Sequence, residues 1–216
     1  MKVNMAMQAT HVRFAIEFEK ELGVLDRAEY LSGVMYSDSR YTSGIDRHLT
    51  HDSSLKITYA LVGSDFEKGW KIHVLYDMLE HDYIFGLFNI TAKLVAFSDY
   101  WIKISAAKFI EDLESFKLLK ESKIIESISP TSTPNNEDPS KLSKWYDLQR
   151  SVYCSEIPSI ESYKPMMDWF DEDVPGAGVR WEATTRDLEK DPEMVKNIHA
   201  MYGMIVKEFY DGLRAR

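Results

Sequence analysis

Cysteine occurs once in 216 residues, as Cys154. That excludes an intrachain disulfide and a multi-cysteine zinc site. Glycine (10) and proline (7) are scarce, and neither a Gly-rich phosphate loop nor a nucleophile elbow is present. Positive charge is also short: 26 Lys and Arg face 35 Asp and Glu, for a net charge of −9. Broad binding to nucleic acid or anionic membranes needs clustered positive charge and is disfavoured. No long apolar run exists. The most apolar window, Tyr83 to Phe97, is too short for a ~20-residue membrane span and contains Asn89 and Lys93; it reads as a buried helix. The first residues, Met1 to Gln8, lack the apolar core of a secretory signal. With a free thiol, this points to the cytoplasm.

Apolar residues make up 44% of the chain and charged residues 28%, the balance of a globular protein with a real core. Strict alternation is rare, whereas helical spacing recurs. His11, Ala15, Phe18 and Leu22 share a helix face that stops near Gly23. Asp26 and Glu29 have capping-box spacing at the start of a helix through Val34. Residues 40–54 read as a loop. Helices are expected from about Asp65 to Phe88, from about Ser98 to Glu121, through Trp145 to Val152, and from Asp191-Pro192 to the C-terminal region. Ser127 to Leu142 is a Pro-rich loop or linker, and Asp171 to Gly178 is a turn-rich break. The acidic-aromatic run Asp168 to Asp173 reads as a solvated turn. Trp101, Trp145, Trp169 and Trp181 read as packing residues, and Cys154 lacks a defined histidine partner. The expected fold is all-α, a bundle of six to eight helices. Residues 1–126 would form the metal-binding core, 127–142 a linker, and 143–216 helices covering the same core.

Histidine is unevenly distributed. Five of the six (His11, His48, His51, His73, His81) lie in the first 81 residues. His73 and Asp77 are four apart, so a helix presents them on one face, close enough to share a cation. His81 follows one turn later. His11 lies on an apolar stripe, and Asp38 follows the apolar helix end Gly33-Val34-Met35-Tyr36. His48 and His51 are three apart, so only one points inward. Buried His and Asp without a cation would each need a partner, and a metal removes that cost. Imidazole with carboxylate suits zinc, manganese or iron. The candidate ligands are His11, Asp38, His51, His73, Asp77 and His81. Asp52 and Asp82 are candidate general bases, and Arg40 and Arg47 flank the ligands as candidate phosphate binders.

Thr10-His11, Gly33-Val34-Met35-Tyr36-Ser37-Asp38, Thr50-His51 and His73-x-x-x-Asp77 together resemble the zinc-dependent phospholipase C and P1-type nuclease superfamily, especially its small bacterial members. The resemblance spans about residues 9 to 88. It implies an all-helical fold and hydrolysis of phosphoesters in small molecules, lipids or, as substrate only, nucleic acids. It also implies that Asp38, His51, His73 and Asp77 hold one ion, and that His11 holds another with Asp77 bridging. Ser37 stands where the family has proline, no family-type N-terminal Trp is present, and no second His-x-x-x-Asp follows: His199 has Gly203 four residues on. One or two ions are therefore expected rather than three.

A second resemblance is to HD-domain phosphohydrolases, through His51-Asp52 or His81-Asp82, with His48 and either Asp112 or Asp147 as further members. Both readings imply a metal-dependent phosphoester hydrolase. A non-catalytic helical metal-binding or interaction protein is the remaining alternative, and a homodimer is open to any of the three.

Overall fold

The computed structural model describes residues 7–91, 95–96, 98–119, 123–154 and 159–215. These residues form no strand, and eleven α-helical segments follow in order. They are α1 (Gln8–Phe18), α2 (Arg27–Tyr36), α3 (Arg40–Ser43), α4 (Arg47–Thr50), α5 (Asp65–Leu87), α6 (Asp99–Leu118), α7 (Ile124–Ser127), α8 (Pro139–Tyr153), α9 (Lys164–Asp173), α10 (Ala177–Glu189) and α11 (Pro192–Arg214). Short 3-10 turns cover Ser37–Ser39, Ile57–Leu61 and Ile160–Tyr163. The all-α class is as expected. The count exceeds six to eight because α3, α4 and α7 are single turns of four residues.

Most starts follow local chemistry. Asp26 caps α2 through the backbone N–H groups of Ala28 and Glu29. Ser64 and Glu67 form a capping box at α5. Asp138-Pro139 and Asp191-Pro192 open α8 and α11 with an aspartate cap followed by proline.

Several expectations need correction. Residues 40–54 are not one loop: they hold α3 and α4, the latter capped by Asp46. Asp168 to Asp173 is not a solvated turn, because α9 runs through it. The window Tyr83 to Phe97 is not one helix. Helix α5 ends at Leu87, and Asn89 adopts a left-handed φ of 51°; residues 92–94 and 97 lie outside the described residues, as do Met1 to Ala6. The irregular stretch before α8 is docked on α2. Thr131 N–H donates to Ser32 Oγ at 3.0 Å, and Tyr36 Oη–H donates to Glu137.

The helix that matters most for the site is α5, and its closest neighbour is α2. They meet at Gly33 and Gly69. A Cβ at Gly33 would lie 2.0 Å from Phe66 O, and one at Gly69 would lie 1.9 Å from Tyr30 O. Only hydrogen fits at either position, so the two backbones touch. The C-terminal end of α2, with Asp38 just beyond it, is thereby held against the middle of α5. One hydrophobic cluster runs from Met7, just before α1, to Leu213 on α11, and Trp101, Trp145 and Trp181 are fully inside it. The C-terminal helices thus pack on the same core as the histidine-rich block.

Gly33→Ala or Gly69→Ala must separate α2 from α5. Each should lower unfolding free energy by at least about 2–3 kcal/mol in urea denaturation. Gly203→Ala, on α11 with open space around it, should instead gain about 0.5–1 kcal/mol. Equal effects at all three positions would remove the crossing argument.

Candidate metal centre

The inner face of α5 carries His73, Tyr76, Asp77 and Glu80, spaced so that all four point the same way. His11 comes from α1, Asp38 from the 3-10 turn after α2, and His51 from the end of α4. These five His and Asp side chains are all buried, each 7% exposed or less. They form two overlapping triads, His11–His73–Asp77 and Asp38–His51–His73, whose ligand atoms lie within 4.8 Å of one another.

Four of them face one another across short gaps. His73 Nε2 is 3.3 Å from Asp38 Oδ2 and 3.8 Å from Asp77 Oδ2. His51 Nε2 is 3.4 Å from Asp77 Oδ2 and 3.7 Å from Asp38 Oδ1. A tetrahedral zinc ion with ligands at about 2.1 Å has ligand-to-ligand edges of roughly 3.4 Å. The observed gaps match that size.

The protons point the same way. His73 Nδ1 is 2.8 Å from Val34 O. A carbonyl only accepts, so Nδ1 carries a proton and Nε2 is the ring atom that faces the two carboxylates. His51 Nδ1 is held by Thr50 Oγ1 at 3.0 Å. His73 Nε2, His51 Nε2 and Asp38 Oδ1 are buried without a hydrogen bond. A cation placed among them would satisfy all three. The outer hydrogen bonds on Nδ1 are the kind that orient metal-binding imidazoles.

Charge is distributed to match. Burial pushes His11 and His51 below the ordinary imidazole range, so both are neutral, the form that ligates. For His11 a stacked His73 ring, 3.7 Å away and 15° from parallel, adds to the effect. Burial raises Asp38 and Asp77 too, but neighbours outweigh it. His73 and Arg40 hold Asp38 low, and Lys108 holds Asp77 low. Both carboxylates are therefore ionised.

The centre opens to the surface on one side. A cavity of about 350 Å³ is lined by His51 and Asp77 together with Arg47, His48, Ser53, Val74, Met78, His81 and Asp82. His81 stands at this rim, half exposed and paired with Asp82, outside both triads. Asp82 is at the rim and Asp52 is not: Asp52 is exposed and spends its carboxylate on Ser54 N–H and Oγ–H, at 2.8 and 2.6 Å. Arg47 lines the cavity. Arg40 lies on the buried side, with Nη2 3.8 Å from Asp38 Oδ1, where it positions Asp38. The HD-type set is dispersed: His48 is exposed, Asp147 pairs with Arg150, and Asp112 is fully buried.

Sequence reasoning missed the supports of the site, which come from α6. Asp112 Oδ1 accepts from Thr10 N–H at 2.7 Å, and its Oδ2 accepts from the Tyr153 and Tyr163 hydroxyls. Tyr153 Oη also accepts from Gln8 N–H at 2.9 Å. Helix α1 has no side-chain cap of its own. Asp112 and Tyr153 satisfy its first-turn donors instead and fix His11 in place. Lys108 and Glu111, one turn away, complete the buried polar face. The only hint in the sequence is the spacing Lys108, Glu111, Asp112 and Ser115, a polar stripe opposite the apolar one.

No family, curated protein or solved structure matches the chain. No helix among the described residues is long and apolar enough to cross a membrane.

Burial raises Asp112 to about 6 despite its hydrogen bonds. The folded protein keeps this proton up to about pH 6, while the unfolded chain releases it near the ordinary carboxylate value. Stability from this group is therefore present at low pH and is lost as pH rises through about 6. Relative to Asp112→Asn, the wild type should lose about 2–3 kcal/mol between about pH 4 and 7, read from denaturation midpoints. A difference that stays flat with pH would contradict the assignment.

Proposed function

We propose that the protein is a metal-dependent phosphoester hydrolase with a zinc-type ion held by Asp38, His51, His73 and Asp77. The observation that carries this reading is the set of short gaps between the inward nitrogens of His51 and His73 and the carboxylates of Asp38 and Asp77, where His51 Nε2, His73 Nε2 and Asp38 Oδ1 have no hydrogen-bond partner. The order of these residues along the chain, resembling zinc-dependent phospholipase C and P1-type nucleases, supports the same chemistry. Manganese and iron suit the donor set as well.

A divalent ion at this position would supply Lewis acidity towards a phosphoryl oxygen and ease deprotonation of water. The protein's own residues do the rest. Asp38 and Asp77 bring the negative charge that selects a cation, and Arg40 and Lys108 keep both carboxylates ionised and in place. Val34 O and Thr50 Oγ1 hold the rings of His73 and His51 so that Nε2 faces inward. The cavity at His51 and Asp77 gives a substrate access to two of the four proposed ligands. Arg47 at its wall can take a phosphate oxygen with its planar fork. Asp82 and His81 at the rim can accept or return a proton. The size and polar rim favour a small or headgroup-like phosphoester over a large polymer.

Protein purified without a nickel tag should carry close to one equivalent of transition metal, or take it up after reconstitution. It should hydrolyse bis-p-nitrophenyl phosphate, and His73→Ala and Asp77→Ala should reduce that rate at least about 100-fold. Metal below about a tenth of an equivalent, with none gained on reconstitution, would sink the reading. Bound metal with no hydrolysis would leave a structural ion that only ties the helices together.

A further inference from the structure

Beside the four-ligand space lies a second polar cluster that the proposed chemistry does not use. Lys108 projects from α6 into it and is buried. Its Nζ donates to Glu80 Oε2 and lies 3.5 Å from Asp77 Oδ1. The same Asp77 oxygen is 3.5 Å from His11 Nε2. Glu111 completes the group, with Oε1 accepting from Tyr76 Oη–H at 2.6 Å. Its Oε2 is buried without a partner, as is His11 Nδ1. Asp77 is thus divided: Oδ2 faces His51 and His73, and Oδ1 faces His11 and Lys108.

We propose that the Lys108 ammonium occupies the place of a second cation, so that this centre binds one metal ion and His11 supports it rather than ligating another. The inference rests on the metal-dependent reading above and specifies its nuclearity. Lys108 Nζ meets Glu80 and an Asp77 oxygen that the His11 imidazole also faces, and imidazole with two carboxylates is the donor set of a hard or borderline divalent ion. Charge balance favours the lysine. Even with Asp38, Asp77 and Glu80 all ionised, three negative charges face two fixed cations (Arg40, Lys108), and one divalent ion leaves a surplus of a single positive charge. A second divalent ion beside Lys108 would leave three buried positive charges without counterparts, which a low-dielectric interior does not support. Lysine also fixes the position covalently and needs no metal supply.

Removing the ammonium should reverse the arrangement. Lys108→Ala leaves His11, Asp77, Glu80 and Glu111 around an open space with one positive charge fewer. Apo protein would be loaded with excess Zn²⁺, desalted, and its metal counted by mass spectrometry. Wild type should retain one equivalent, Lys108→Ala two, and Lys108→Arg one. The double variant Lys108→Ala/Glu80→Gln should return to one.

Two equivalents in wild type, or one in folded Lys108→Ala, would overturn the inference while leaving the hydrolase reading intact. No metal in wild type would remove both. Should apo Lys108→Ala be unfolded, zinc titration followed by circular dichroism reads the same point. Refolding complete at two equivalents supports the inference; refolding at one, or none at all, overturns it.

Discussion

Everything at the centre depends on the approach of α2 to α5 at Gly33 and Gly69. With backbones in contact, the carbonyl of Val34 comes within hydrogen-bonding distance of His73, and Asp38 comes within 3.3 Å of the same ring. A larger side chain at either glycine would hold these groups apart. The crossing also leaves carbonyl groups at the end of α2 available. Val34 O takes His73, Met35 O takes Trp145 Nε1–H, and Ser32 O takes Tyr146 Oη–H. One helix end therefore orients a ligand on one side and anchors α8 on the other.

A second constraint is electrostatic. A buried assembly of Asp38, Asp77, Glu80, Glu111, Arg40, Lys108 and three histidines is costly unless each charge has a counterpart. Burial raises Glu111 well above the ordinary carboxylate range, and Glu80 beside it adds to the rise, so Glu111 is neutral. Lys108 stays charged because Glu80 and Asp77 outweigh the burial that would lower it. The inward nitrogens of His51 and His73 and one oxygen of Asp38 are among the buried atoms that no hydrogen bond satisfies.

The parts legible in the sequence were those with local signatures. His73 and Asp77 are one helical turn apart, His11 sits on an apolar stripe, and Asp38 follows an apolar helix end; each cue needs only a few neighbouring residues. The starts of α2 and α11 were equally local, set by Asp26 and Asp191-Pro192, whereas α8 begins at Pro139, inside the stretch that reads as a loop. The failures had non-local causes. Lys108, Glu111 and Asp112 look like ordinary polar residues on α6, and only the arrival of α1, α5 and α8 buries them. His81 has the spacing of a ligand, but its side chain turns to the rim instead of the interior. Residues 168–173 are acidic enough to suggest solvent, yet helical periodicity continues through them in α9.

Tyr153 at the end of α8 and Tyr163 in the following 3-10 turn reach Asp112, and through it the first turn of α1. Two hydroxyls from the distal third of the chain therefore set the orientation of a histidine near its beginning. The histidine-rich block is not a portable cassette. Residues 1–126 on their own would carry every proposed ligand while lacking the two phenols that hold Asp112 and, with it, the start of α1. The apparently silent C-terminal region is the other half of the scaffold, and the boundary of the working unit is the boundary of the whole core.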